Sequence, residues 1–164
     1  MRLLAFSALA AFTLHAEVQE KSKKIAGMTV KYKVVLPNGY DPAKAYPGIL
    51  GFGGGPQNII TRNFRAEAEK RGYIVVAVAA PDGNLFFEDG AKIFPDFLKA
   101  ILADYKIEGG KFHVAGPSNG GISSMHIAAL NPQYFISVTA YPGYMWEPTP
   151  KKLETTEITP MTRY

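Results

Sequence analysis

Cysteine is absent from the 164 residues. Disulfides, thiolate metal sites and cysteine nucleophiles are therefore excluded. Histidine is nearly as scarce, with three copies. Charge is sparse as well: 20% of residues are charged and the net charge is +4. The lysines (Lys21, Lys23, Lys24, Lys31, Lys33, Lys151 and Lys152 among them) are scattered, with no basic block and no aromatic interleaving. They read as a solvated surface, so no nucleic-acid partner is expected. The sequence also lacks internal repeats and low-complexity segments. Its 47% hydrophobic content is that of one soluble globular domain, long enough to bury a real core.

The N-terminal apolar run, LLAFSALAAFTL after Arg2, is only about a dozen residues long, too short to cross a bilayer comfortably. With its positive start and Ala16 as the cleavage position, it reads as a signal peptide over residues 1–16. A buried N-terminal helix is the alternative. The charged EVQEKSKK that follows reads as the start of a mature, periplasmic or secreted chain. Such a chain without cysteine needs no oxidant to fold. Residues 17–164 then form the single domain, with no stable membrane span.

Within that domain, MTVKYKVVL (28–36) alternates and is β-rich, predicting a strand. A loop with three prolines and an Asn-Gly follows. GILGF (48–52) predicts a short buried strand, and residues 59–71 a helix with Ile60, Phe64 and Ala68 on one face, ended by Gly72. YIVVAVAA (73–80) is a continuous apolar run, as in a strand covered on both faces. Phe94, Phe97, Leu98, Ile101, Leu102 and Tyr105 recur at helical spacing and predict a helix over 91–105, with Pro95 near its start and IEGG closing it. KFHVAG (111–116) predicts a strand, 119–130 a helix stopped by Asn131-Pro132, and FISVTAY (135–141) a further strand. This alternation predicts an α/β fold: a mostly parallel sheet with right-handed crossovers and helices on both faces.

Between the strand at 111–116 and the helix at 119–130 stands Gly116-Pro117-Ser118-Asn119-Gly120. It fits G-x-S-x-G in the strand-turn-helix setting of a nucleophile elbow. So tight a turn holds Ser118 in strained backbone geometry, and a side chain at Gly116 or Gly120 would collide with the neighbouring strand or helix. The free N–H groups of the helix start, led by Asn119, would face an anion forming at Ser118. The bland alternative is Ser118 as a helix N-cap. GFGGGPQN (51–58) lacks the spacing of a phosphate-cradling loop. It reads better as the second half of an oxyanion hole, with the Gly54 N–H as donor and Gly53 as runner-up. A plain glycine-rich surface turn is the alternative there.

These stretches resemble the α/β-hydrolase superfamily. The likeness runs over about residues 28 to 146 and is strongest to secreted esterases grouped with polyhydroxybutyrate depolymerases, feruloyl esterases and the dienelactone hydrolase and prolyl oligopeptidase-like carboxylesterases. VVLPNGYDPAKAYPGILGFGGG, RGYIVVAVAAPDG, FHVAGPSNGG and AALNPQYFISVTAYPG carry it. The resemblance implies hydrolysis of carboxylic esters through an acyl-serine, without metal or cofactor. A small-molecule ester would be the substrate, Ser118 the nucleophile, and the Asn119 and Gly54 N–H groups the oxyanion donors.

The chain departs from the pattern twice. Phe52 stands where many relatives have histidine before the loop glycines. More seriously, no histidine follows Ser118 at the family's position for the base. His15 lies in the leader. His113 is five residues back along a strand, roughly 17 Å away, and His126 is eight residues along a helix, roughly 12 Å. A base works at about 3 Å. His113 is expected to be a hydrogen-bonded core residue, and His126 part of a packing face.

No carboxylate fits the acid. Glu147, Glu154 and Glu157 fall in an irregular tail, Asp82 in a turn, and Asp89, Asp96 and Asp104 in or beside a helix. ITPMTRY (158–164) reads as the opening of the next strand, which implies the N-terminal part of a longer hydrolase. Without further strands, the strand at 135–141 would show an unpaired edge prone to aggregation.

Phe86, Phe87, Tyr141, Tyr144 and Trp146 follow strands, where they could line an acyl pocket or simply pack. Two other functions stay open: a non-catalytic secreted binding module that keeps the fold, and a serine peptidase, since relatives of similar core sequence cleave peptides.

Overall fold

The computed structural model describes residues 18–53, 58–80, 86, 89–142 and 159–160. Among the described residues seven strands and three α-helices follow one another: β1 (Val18–Ile25), β2 (Met28–Val35), β3 (Tyr46–Phe52), α1 (Asn58–Arg71), β4 (Ile74–Val78), α2 (Phe94–Asp104), β5 (Ile107–Gly116), α3 (Asn119–Leu130), β6 (Phe135–Ala140) and β7 (Thr159–Pro160). They form one sheet of order β1-β2-β4-β3-β5-β6-β7. β1 and β2 run antiparallel to their neighbours, and every pair from β4 across to β7 is parallel. The expected mostly parallel α/β architecture is the one observed.

The two faces of the sheet separate by strand alternation. Val34, Val76, Leu50, Val114 and Val138 pack with Phe97, Leu98 and Ile101 of α2 and Ile127 of α3 in the main core. Val35, Val75 and Ala77 point the other way and meet Ile60 and Ala68 of α1, with Phe64 and Ile49 beside them. Helices therefore cover both faces. α1 lies so close to β3 that a methyl group on Gly51 would come within 2.9 Å of the Ile60 Cγ1.

Three features depart from the sequence pattern. The charged stretch EVQEKSKK carries no strand signal, yet from Val18 on it is β1, paired along its whole length with β2 through a two-residue turn, Ala26-Gly27. Both turn residues have positive φ (46° and 88°), the twist that suits a tight hairpin. Glu20, Lys21, Lys23 and Lys24 hide its β character in the sequence. On an edge strand, however, charged side chains deter pairing with another chain. Lys21 donates to the Tyr105 hydroxyl at 2.6 Å and Lys23 pairs with Asp104 at 2.9 Å, tying this edge to the end of α2.

Second, the helix expected over 91–105 begins as a 3-10 turn at Asp89–Ile93 and becomes α-helical only at Phe94. Third, IEGG does not close that helix. It opens β5, with Gly109 and Gly110 at φ 61° and 64° kinking the strand. The helix stops instead at Tyr105, whose backbone is already extended.

The strand expected at 158–164 is present as Thr159–Pro160, which pairs with Ser137 and Val138 of β6. Among the described residues, no helix is long and apolar enough to cross a membrane.

Candidate active site

β5 ends at Gly116 and α3 starts at Asn119, leaving two residues to reverse from sheet to helix. The reversal is carried by Ser118, at φ 53° and ψ −128°. Among the described residues only Ser118 and Ala26 have positive φ without being glycine. Such a conformation costs on the order of 1–3 kcal/mol and persists only where its surroundings enforce it. Here the following turn bonds do so: Gly120 N–H donates to the Pro117 carbonyl at 2.8 Å, and Gly121 and Ile122 donate to the Ser118 carbonyl at 2.8 and 3.1 Å.

The side chain of Ser118 is exposed and makes no capping hydrogen bond. The N-cap alternative is therefore not realised, since the hydroxyl caps no helix N–H. Gly116 explains itself sterically, since a Cβ there would strike the carbonyl group of Gly120 and lie 2.6 Å from the Phe52 carbonyl oxygen. Gly120 is buried against that contact.

Asn119 is exposed as the first residue of α3. Its N–H belongs to the donors that a helix leaves without intrahelical acceptors. The first turn contains no acidic residue, so the partial positive charge of the helix start is not neutralised there. An anion at Ser118 would meet that field. Gly54, the expected second donor, lies outside the described residues. Gly53, the runner-up, is buried at the end of β3.

Phe52, at the position where the resemblance leads one to expect histidine, is fully packed. Its ring lies 4.8 Å from Phe86 and 5.4 Å from Phe94, and Phe86 meets Phe94 edge-on at 5.2 Å. The residue anchors the end of β3 by apolar packing. Phe86 thereby belongs to the core rather than to an acyl pocket. Phe87, Tyr144 and Trp146 lie outside the described residues.

Neither described histidine serves Ser118. His113 is held by Ser137, its Nδ1 2.8 Å from the hydroxyl. His126 is buried within α3, and burial lowers its pKa. The carboxylates expected on helices are engaged with lysines: Asp89 with Lys92 at 2.7 Å, Asp96 with Lys99 at 3.1 Å and Asp104 with Lys23. Asp82, Glu147, Glu154 and Glu157 fall outside the described residues, as do His15 and the rest of residues 1–17. A groove of about 290 Å³ lies on the α1 face, over Ile49, His113, Ala115 and Thr139. Ser118 does not line it. No group of metal-binding side chains occurs among the described residues.

Sequence reasoning missed the segment that leaves β6. Tyr141 N–H donates to the Gly116 carbonyl at 3.2 Å, and Ser118 N–H donates to the Pro142 carbonyl at 2.7 Å. Side-chain patterning carries no trace of such backbone bonds. The phenolic oxygen of Tyr141 is buried without a hydrogen-bond partner among the described residues.

With this geometry in view, comparison with known proteins is decisive. Residues 22–160 match the family described as "Putative esterase". The chain belongs to that family. It is also similar to dipeptidyl-peptidase 5 of Porphyromonas gingivalis, 33% identical over 128 residues, which are 67% of this chain and 19% of that protein. Among solved structures, the feruloyl esterase module from Clostridium thermocellum complexed with sinapinate superposes with a TM-score of 0.69 at 18% identity, over 80% of this chain and 55% of that one. The acetyl xylan esterase from Aspergillus awamori gives 0.66 at 16%, over 79% and 53%. These two likenesses establish the α/β-hydrolase fold. The chain spans about half of each of those esterases and about a fifth of the peptidase.

Proposed function

We propose that this esterase-family chain carries the nucleophile of an exported serine hydrolase that cleaves carboxylic esters through an acyl-serine. The observation that carries the reading is the backbone of Ser118: a strained serine, exposed, uncapped, and set at the start of a helix with no acidic residue in its first turn. The Ser118 oxygen forms a bond to the ester carbonyl carbon while its proton passes to a base. The carbonyl electrons become an oxyanion facing the Asn119 N–H, with Gly54 as the second donor. Collapse of that intermediate breaks the carbon–oxygen bond and releases the alcohol, and water then hydrolyses the acyl-serine. The base and its acid partner come from outside the described residues. Neither metal nor cofactor enters these steps. Export is read from the sequence of residues 1–16, where a positive start and a short apolar run precede a small residue, Ala16.

Fluorophosphonate labelling tests the nucleophile. The unmodified protein should be labelled on the peptide containing Ser118, and Ser118→Ala should not. Equal labelling of the variant would sink the reading.

A peptidase reading has its own support in the likeness to dipeptidyl-peptidase 5. Paired substrates separate the two: a p-nitrophenyl ester turned over faster than a dipeptidyl p-nitroanilide favours the esterase, and the reverse favours the peptidase.

A further inference from the structure

The ladder between β5 and β6 does not stop where the strands do. Its last register pair is Gly116 with Ala140. Beyond it, Tyr141 N–H reaches back to the Gly116 carbonyl, and Ser118 N–H reaches forward to the Pro142 carbonyl. Pro117, between the two bonded positions, has no N–H to offer. The two bonds thus flank Pro117, one at the last strand residue and the other at the N–H of the residue that turns. The second is the shorter, at 2.7 Å against 3.2 Å.

Two consequences follow. The N–H of Ser118 is engaged with the sheet and is not available to an oxyanion, which leaves Asn119 as the first free donor of the turn. And the positive φ of Ser118 is held from the β6 side as well as by the helix. We propose that the segment Tyr141–Pro142 is a positioning clamp for the nucleophile, its jaws being the Tyr141 N–H and the Pro142 carbonyl. Assigning Ser118 as nucleophile rests on the function proposed above, whereas the clamp itself rests on the two backbone bonds.

Because the jaws are backbone atoms, the test removes a backbone atom. Amide exchange by NMR on the unmodified protein should show the Ser118 N–H exchanging about 100-fold more slowly than that of Asn119. Similar rates for the two would overturn the clamp. Replacing Tyr141 by its α-hydroxy-acid counterpart deletes one jaw and keeps the side chain. Protection of Ser118 should then fall about tenfold while the β4 amides keep theirs, and unchanged protection would overturn the clamp.

In fluorophosphonate kinetics the same replacement should slow the inactivation step roughly tenfold or more with the half-saturating concentration unchanged. Tyr141→Phe, which retains the N–H, should keep the amide protection of Ser118. If Tyr141→Phe loses as much protection as the ester variant, the side chain matters and the clamp does not. If the ester variant fails to fold, the exchange ratio in the unmodified protein decides. If the unmodified protein takes no label, the nucleophile reading fails while the exchange rates still decide the clamp.

Discussion

Gly116 and Gly120 meet backbone to backbone, with no room for even one methyl group between them. Phe52 closes the same space from β3, its carbonyl oxygen 2.6 Å from where a Cβ on Gly116 would lie. All these obstacles are backbone atoms, which cannot step aside as a flexible side chain can. Gly116→Ala should therefore destabilise the protein by about 3 kcal/mol or more, the upper range for overpacking. Gly39 supplies the comparison: it has φ 67° and open space around it, so Gly39→Ala should cost only on the order of 1 kcal/mol. Urea midpoints of the two variants check the contrast, and equal midpoints would contradict it.

The main core should be equally unforgiving in the opposite direction. Phe97 is wholly buried and meets Tyr32 edge-on at 5.5 Å. Phe97→Ala removes that contact and leaves a cavity between α2 and the sheet, at a cost of about 3–5 kcal/mol. Phe64, only partly buried on α1, should lose less on the same substitution, because part of its ring already faces water. Denaturant unfolding ranks the two.

What the sequence revealed and what it hid divide along physical lines. Helix periodicity exposed α2, because Phe94, Phe97, Leu98 and Ile101 all turn to one core. The apolar run at β4 announced a strand covered on both faces, and all five of its residues are buried. The elbow was legible because glycine at 116 answers a steric demand that no other residue meets. β1 was not legible, since an edge strand lined with lysine and glutamate carries little apolar alternation. The opening of β5 misled because Gly109-Gly110 is equally at home after a helix and in a kinked strand. The clamp from β6 could not be read at all, being made of backbone N–H and C=O groups that every residue possesses.

His126 gives the fold a pH dependence of defined sign. Burial lowers its pKa in the folded protein below the ordinary 6.5, so the unfolded chain binds the proton more readily. Stability from this residue is fully present above about pH 6.5 and is lost as pH falls through the unfolded value towards the lowered folded one. Melting temperature should drop between pH 7 and pH 5, two values bracketing the ordinary histidine range. His126→Leu should flatten that part of the profile. An unchanged slope in the variant would assign the effect to other groups.

Export makes a prediction independent of catalysis. If residues 1–16 act as a leader, the exported protein begins at Glu17, one residue before β1 starts at Val18. Intact-mass measurement of the exported form should find that N-terminus. A mass retaining Met1–Ala16 would contradict cleavage.

The central claim is that Ser118 receives the acyl group. Acid-quenching the protein during turnover of a slowly deacylated ester, followed by peptide mass spectrometry, tests it most directly. The account predicts that the peptide spanning Ser118 gains the mass of the acyl group and that Ser118→Ala shows no such gain. An acyl adduct on any other residue, or turnover that survives the loss of Ser118, would contradict it.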